Sequence, residues 1–328
     1  MRSYDSILLT AERSVEDLLM LIDWAEKSSN HVFVFLHCDS PTLKAMKQIS
    51  IGRKNMNWTP ALRGEWLEIS VEHDDSCKAY VVMHKKYFLP KLPTGYEIIH
   101  AGKKNSTIDL GFQGDDTGDN ISDLNLYLNE LTVTYWAWKN APRTEYIGFA
   151  HYERFFMLPD SETTDRSPEI YTPIKRNKSH VVTMQEAVAL LQDCDILARK
   201  VSFVGASAFR VREENHDLYW EISKKYINQN IPQALEGLYI QNASFRLIAC
   251  QVFFTRWKVF DEYCKWMFSW AIPAAREWMP QSGNGFKRFI SILCEEMTQV
   301  FMMQHNLRIK YLPGFVGDKE STPEKPIF

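Results

Sequence analysis

GDDTGDNISDLNLYLNELTVTYWAWKNAPRTEYIGFAHYERFF, Gly114–Phe156, holds a loop, a helix and a strand in that order. The loop sets Asp115, Asp116 and Asp119 between Gly114 and Gly118, whose backbones reach angles other residues avoid. Three carboxylates so close repel phosphate, so this is no Lys/Ser phosphate cradle. They suit sugar hydroxyls, a base edge or a divalent cation, or a solvated turn in which Asp and Asn bond their own backbone. Asn120 or Ser122 is expected to cap a helix with Asp123 in its first turn. Leu124, Leu128, Leu131, Tyr135 and Trp138 recur at helical spacing and predict a core stripe. Asn125, Asn129, Thr132 and Trp136 form a more polar stripe beside it, expected to line a cleft. Pro142 and Arg143 turn the chain into a buried strand, Tyr146 to Ala150, that ends in His151, Tyr152, Glu153 and Arg154. Charged residues just beyond a buried strand are where open α/β sheets hold ligands.

The same grammar extends outward. Lys78 to Met83 reads as a strand ending in His84, Lys85 and Lys86, and Gly102 precedes the basic pair Lys103 and Lys104. Residues 159–178 are polar and proline-bearing, the composition of an acceptor-side lid or a plain insertion. Met184–Leu191 predicts a helix and Asp195–Ala198 a strand, with Arg199 and Lys200 beyond it facing phosphate or solvent. Helices follow at 216–226, 232–239, 257–270 and 287–304, then a last strand at 307–312. In the 257–270 helix Phe260, Tyr263, Cys264 and Met267 form the core stripe, or an aromatic face for peripheral membrane contact. Residues 1–77 read as a βαβαβ-like extension, with strands at 4–10, 31–36 and 66–71 and helices from Ser14 and Pro41. Its His37, Cys38 and Asp39 at a strand end read as a candidate site cluster or, more plainly, as a strand-end turn. The expected organisation is an N-terminal α/β extension (1–77), a main domain (78–317) and a loose tail (318–328).

Composition narrows the function. A net charge of −3 gives no electrostatic reason to expect nucleic acid. The six cysteines are scattered without a C-x-x-C pair, so neither a zinc cage nor a disulfide framework is expected. The N-terminus lacks the apolar core of a signal peptide, and no apolar run reaches the ~18 residues of a membrane span. A cytoplasmic protein, at the inner face of the membrane if it meets a lipid-linked acceptor, is the expectation.

GDDTGDNIS, NELTVTYWAWKN and YIGFAHYERFF together resemble the signature of a bacterial family first catalogued as a domain of unknown function. Its members occur among capsular- and exopolysaccharide biosynthesis proteins and are regarded as glycosyltransferases. VVMHKKYFLP upstream, and QVFFTRWKVFDEYCKWMF and RFISILCEEM downstream, extend the resemblance over roughly residues 78 to 315. The chain departs from the family's His-Tyr-Arg-Arg-Tyr at Glu153 and Phe155, from its Asn at Gln251, and from its Glu-Arg pair at Glu295-Glu296. The resemblance implies an α/β fold of GT-A type, a Rossmann-like sheet flanked by helices. It also implies a nucleotide-sugar donor (a UDP-sugar foremost) and a glycan or lipid-linked oligosaccharide acceptor. The donor site it implies comprises His84, Lys85, Gly102, Asp115, Asp116, Thr117, Gly118, Asp119, Asn120, Tyr152 and Arg154.

Glycosyl transfer must neutralise a leaving diphosphate, with Mn2+ or Mg2+ or with cationic donors. The fold usually seats its metal on an Asp-x-Asp; this chain has His151-x-Glu153 there. In an extended chain both would face one side, which makes His151 and Glu153 the expected metal ligands and catalytic groups. Glu295, aligned with the acid of the family's closing helix, is the expected general base, with Glu153 and Asp119 as rivals. Transfer of a phosphoryl-type group, or glycan binding without catalysis, are the competing expectations.

Overall fold

The structure is a computed structural model that describes residues 4–10, 14–15, 17–18, 22, 29–37, 41–50, 56–70, 76–87, 89–90, 92–159, 179–199, 202–203, 216–244, 246–247, 251–278 and 289–316. Most of the polar segment after Pro159, Cys38, Asp39, Lys200 and the tail from 318 lie outside these residues. The chain forms two compact units, Met1–Asp74 and Asp75–Phe328.

In the first unit β1 (Tyr4–Thr10) pairs in parallel with β2 (Ser29–His37). Parallel neighbours need a crossover. Val15, Asp17, Leu18 and Ile22 are helical there, opened by Ser14, whose Oγ accepts the Asp17 N–H at 3.2 Å. Helix α1 (Pro41–Ser50) follows. The βαβαβ expectation then fails. β3 (Met56–Ala61) and β4 (Gly64–Ser70) form a hairpin, and β4 runs antiparallel to β2. No helix separates the last two strands, so a parallel return is impossible. Leu18, Ile22, Val32, Val34, Leu36, Met46 and Leu67 close the core of this unit.

The second unit is a sheet in the order β15-β11-β14-β8-β5-β6-β7. Its strands are β5 (Cys77–Met83), β6 (Tyr96–His100), β7 (Gln113–Gly114), β8 (Tyr146–His151), β11 (Ile196–Arg199), β14 (Phe253–Arg256) and β15 (Ile309–Leu312). β9 (Arg154–Pro159) leaves the end of β8 and pairs with β10 (Ser179–Val181) and β16 (Gly314–Val316), and β12 (Ser202–Phe203) pairs antiparallel with β13 (Arg246–Leu247). β5, β6, β7 and β8 are mutually parallel. β14 runs against β8 and β11 against β14, so β11 shares the direction of β8.

Helices cover both faces, which is why these strands read as unbroken apolar runs. Tyr80, Val82, Ile147, Phe149, Ile196, Ala198 and Phe253 face one core. That core is shared with α2 (Leu131–Asn140), α4 (Ala234–Ser244), α5 (Trp257–Trp278) and α6 (Phe289–Gln304). Ala79, Tyr146, Leu197 and Phe254 face the opposite side, against Met184 and Ala187 of α3 (Met184–Leu190). Gly148 belongs to this interleaving, because a Cβ there would lie 2.2 Å from the Phe254 ring. Phe260, Tyr263, Cys264 and Met267 of α5 are core, so that stripe is not a membrane face. No described helix is long and apolar enough to cross a membrane.

Candidate active site

Parallel strands collect their C-terminal ends on one edge, and here that edge carries the polar groups. His84 and Lys85 follow β5, Gly102 and Lys103 follow β6, Asp115 follows β7, His151 closes β8, and Arg199 closes β11. Backbone hydrogen bonds stitch the ends together: Tyr152 N–H to Val82 O at 3.1 Å, and Ala101 N–H to Met83 O at 2.8 Å. The aspartate loop and the His-Tyr-Glu-Arg tip thus stand on one edge. They are separated by about 14 Å, three strand spacings.

The aspartate loop is braced from within. Asp115 is fully buried, and its carboxylate accepts the N–H groups of Gly102 (2.9 Å) and Lys103 (3.1 Å) and the hydroxyls of Ser122 (2.5 Å) and Thr132 (2.6 Å). Both oxygens are filled from the protein side, so Asp115 positions the β6 and β7 loops rather than meeting a ligand. Thr117 Oγ1 accepts from Trp136 Nε1 at 2.9 Å and from Gln113 at 3.0 Å. Asp119 accepts the Tyr135 hydroxyl at 3.0 Å, and Asn140 clasps its backbone at 3.0 and 2.8 Å. The charge of Asp119, after burial, helps push the Tyr135 phenol up to about 12. Asn120 donates to the carbonyls of Asp116 (3.1 Å) and Gly118 (2.9 Å). Gly118 has φ +56, and a Cβ there would lie 2.0 Å from Asn140 Oδ1. Asp116, Thr117 and Asp119 remain exposed around this scaffold.

Two expectations for the following helix are corrected. Of the two expected caps, Ser122 is turned away, its Oγ donating to Asp115, while Asn120 Oδ1 accepts the Ser122 N–H at 3.3 Å, and residues 122–124 form a 3-10 turn. The helix is also not continuous. Asn125–Leu128 ends at Asn129 (φ 47), and α2 begins afresh at Leu131. The polar stripe ties the loop and the break together. Asn125 donates to Thr132 (3.0 Å), Asn129 to Ser291 (2.8 Å), and Trp136, which is buried, to Thr117.

The second cluster is cationic. β8 and β9 are joined by a tight turn with His151 opposite Arg154, so Tyr152 and Glu153 occupy its two central positions. The chain turns instead of extending, which removes the alternation argument for His151 and Glu153 as an Asp-x-Asp equivalent. His151 Nδ1 accepts the Glu153 N–H at 3.3 Å, and the Glu153 carboxylate stands 3.5 Å from Lys85 Nζ. Tyr152 is buried, with His84 edge-on at 5.1 Å, His151 at 4.1 Å and Lys85 Nζ over its ring at 5.3 Å. Burial, then the charges of Arg154, His84, Lys85 and Arg199, press the His151 imidazole down to about 3. Burial lowers Lys85, but Tyr152 and Glu153 outweigh it and the net shift is upward. Such a field does not fit a divalent cation, and among the described residues no three His, Cys, Asp or Glu side chains form a metal cage.

Arg199 is buried, and its charge reaches His151 across β14. Its position just past a short apolar strand was the only sequence signal for it; strand order brings it here. Gln251, with φ +36, enters β14 on the same edge and donates to Thr298 at 2.6 Å while accepting from Tyr263 at 2.6 Å. Glu295 lies half-buried on α6 between Ser291, tied to Asn129, and Thr298, tied to Gln251. An apolar cavity lined by Ile196, Phe253, Tyr263 and Phe301 lies within the helix-side core and carries none of this chemistry.

A central sheet flanked by helices, with its polar groups gathered at the C-terminal strand edge, is the α/β fold of GT-A-like glycosyltransferases. The fold matches that of the apo bifunctional glycosyltransferase WbbM, with a TM-score of 0.59, 24% identity and 77% of this chain covered. The match spans 48% of the WbbM chain. Residues 78–306 match the profile of DUF4422, a domain of unknown function, and the chain belongs to that family. No curated protein sequence is significantly similar.

Proposed function

We propose that the protein is a glycosyltransferase that moves a sugar from a nucleotide-sugar donor to a surface-polysaccharide acceptor. The observation that carries this is the common strand edge, where a cationic cluster and an exposed Asp116–Asp119 loop stand about 14 Å apart. The WbbM-like fold and the resemblance to polysaccharide-assembly proteins support it. The diphosphate lies at the His84/Lys85/Arg154 end, and the base edge, at the far end of the nucleoside, meets Asp116, Thr117 and Asp119. The acceptor oxygen attacks the anomeric carbon as its bond to the diphosphate oxygen breaks, and the diphosphate leaves with the electron pair. In an inverting reaction Glu295 takes the acceptor proton.

Thermal-shift titration with nucleoside diphosphates and nucleotide sugars tests this. Ligand at a hundred times its Kd adds about 2.7 kcal/mol to stability. Stabilisation by UDP, GDP or their sugars is expected; a flat response to all of them refutes a nucleotide-sugar transferase.

A further inference from the structure

We propose that the donor's diphosphate is held beside the His84 and His151 rings and neutralised by Lys85, Arg154 and Arg199, and that binding needs no divalent ion. The proposal rests on the glycosyltransferase reading and specifies how its leaving group is accommodated. The charges of Lys85, Arg154 and Arg199 all act on His151, and they come from the loop after β5, the start of β9 and the end of β11. Cations brought to one strand edge from separate strands suit charge developing on a leaving group. Arg199 is held in place by burial at 6% exposure, and Lys85 rests on the Tyr152 ring at 5.3 Å. Little side-chain order has to be gained when the anion arrives.

Glu153 acquires a specific role in this arrangement. Its carboxylate lies 3.5 Å from Lys85 Nζ. It acts as an internal counter-ion that an arriving diphosphate must displace. A metal-ligand role makes the opposite prediction for its removal. Glu153→Gln deletes a competing anion and should tighten diphosphate binding; if Glu153 held a metal, the same change should weaken it.

Calorimetric titration of the full chain with UDP and with GDP, in EDTA and in excess Mn2+, reads this directly. The preferred nucleotide is expected to bind with the same Kd in both buffers to within about twofold. Glu153→Gln is expected to tighten binding about three- to tenfold, and Lys85→Met to weaken it at least tenfold. Lys85 is half-exposed, so its variant tests the cluster without the folding risk of changing buried Arg199. Binding seen only with Mn2+, or lost in Glu153→Gln, overturns the proposal and leaves the glycosyltransferase reading standing. Failure of both nucleotides in both buffers removes the proposal together with that reading.

Discussion

Replacing Asp115 with Asn tests whether the most conspicuous acidic residue of the chain binds ligand or braces the fold. Oδ1 accepts Lys103 N–H and the Ser122 hydroxyl, and Oδ2 accepts Gly102 N–H and the Thr132 hydroxyl. An amide sets an NH2 where one of these oxygens stood. Whichever way it flips, one backbone N–H points at a donor and one hydroxyl loses its acceptor. Thr132 Oγ1 has an alternative acceptor in Asn129 O at 3.1 Å, but the backbone N–H cannot turn away. An unsatisfied buried N–H costs about 1–3 kcal/mol, and the loss of charge from the surviving bonds adds about 1 kcal/mol. The sum, roughly 3 kcal/mol, lowers the melting temperature of a unit this size by roughly 6–12 °C. Thermal and urea unfolding of the wild type, Asp115→Asn and Asp115→Ala measure it. Unchanged melting with weakened nucleotide binding would show that Asp115 contacts ligand and that its role as a brace is wrong.

Gly118→Ala places a side chain at φ +56 against Asn140 Oδ1 and should cost roughly 2 kcal/mol, read as a lower urea midpoint. His151 sits at about 3, below its ordinary value, so as pH falls the unfolded chain takes up the proton first. The associated stability is complete above about pH 6.5 and is lost toward pH 3, by at most about 1.4 kcal/mol per unit. Urea midpoints between pH 7 and 5 should fall more steeply for wild type than for His151→Gln; parallel curves would refute the assignment. His100, lowered by burial and then by Lys103, adds in the same direction and is common to both proteins. Glu295→Gln should lower kcat about 100-fold or more while nucleotide Kd stays within about twofold, and an unchanged kcat would dismiss it as the base.

The strands at 78–83 and 146–150 and the helices at 184–191 and 257–270 were legible because both of their signals are local. Each has an apolar period and a flanking turn, and Thr183 with Glu186 even spells out the capping box that opens α3. The break at Asn129 was not legible. No proline or glycine marks it, and what it gains is distant: the bond to Ser291 and a path for Thr132 to reach Asp115. The hairpin at 56–70 was half missed for a related reason. Pro60 and the short exposed turn at Leu62 and Arg63 hid β3, which becomes a strand by pairing with β4.

For the site, the sequence by itself determined which residue types were at hand: aspartates in one loop, His-Tyr-Glu-Arg at a strand end, lysines at another. Side-chain chemistry belongs to the residue and survives any fold. Tertiary structure decided which of them act outward. It turned Asp115 in upon four donors, bent the chain at Tyr152–Glu153, and brought Arg199 across β14 to the same edge. Strand order is a non-local property, set by burial on both faces of the sheet, and no window of sequence contains it.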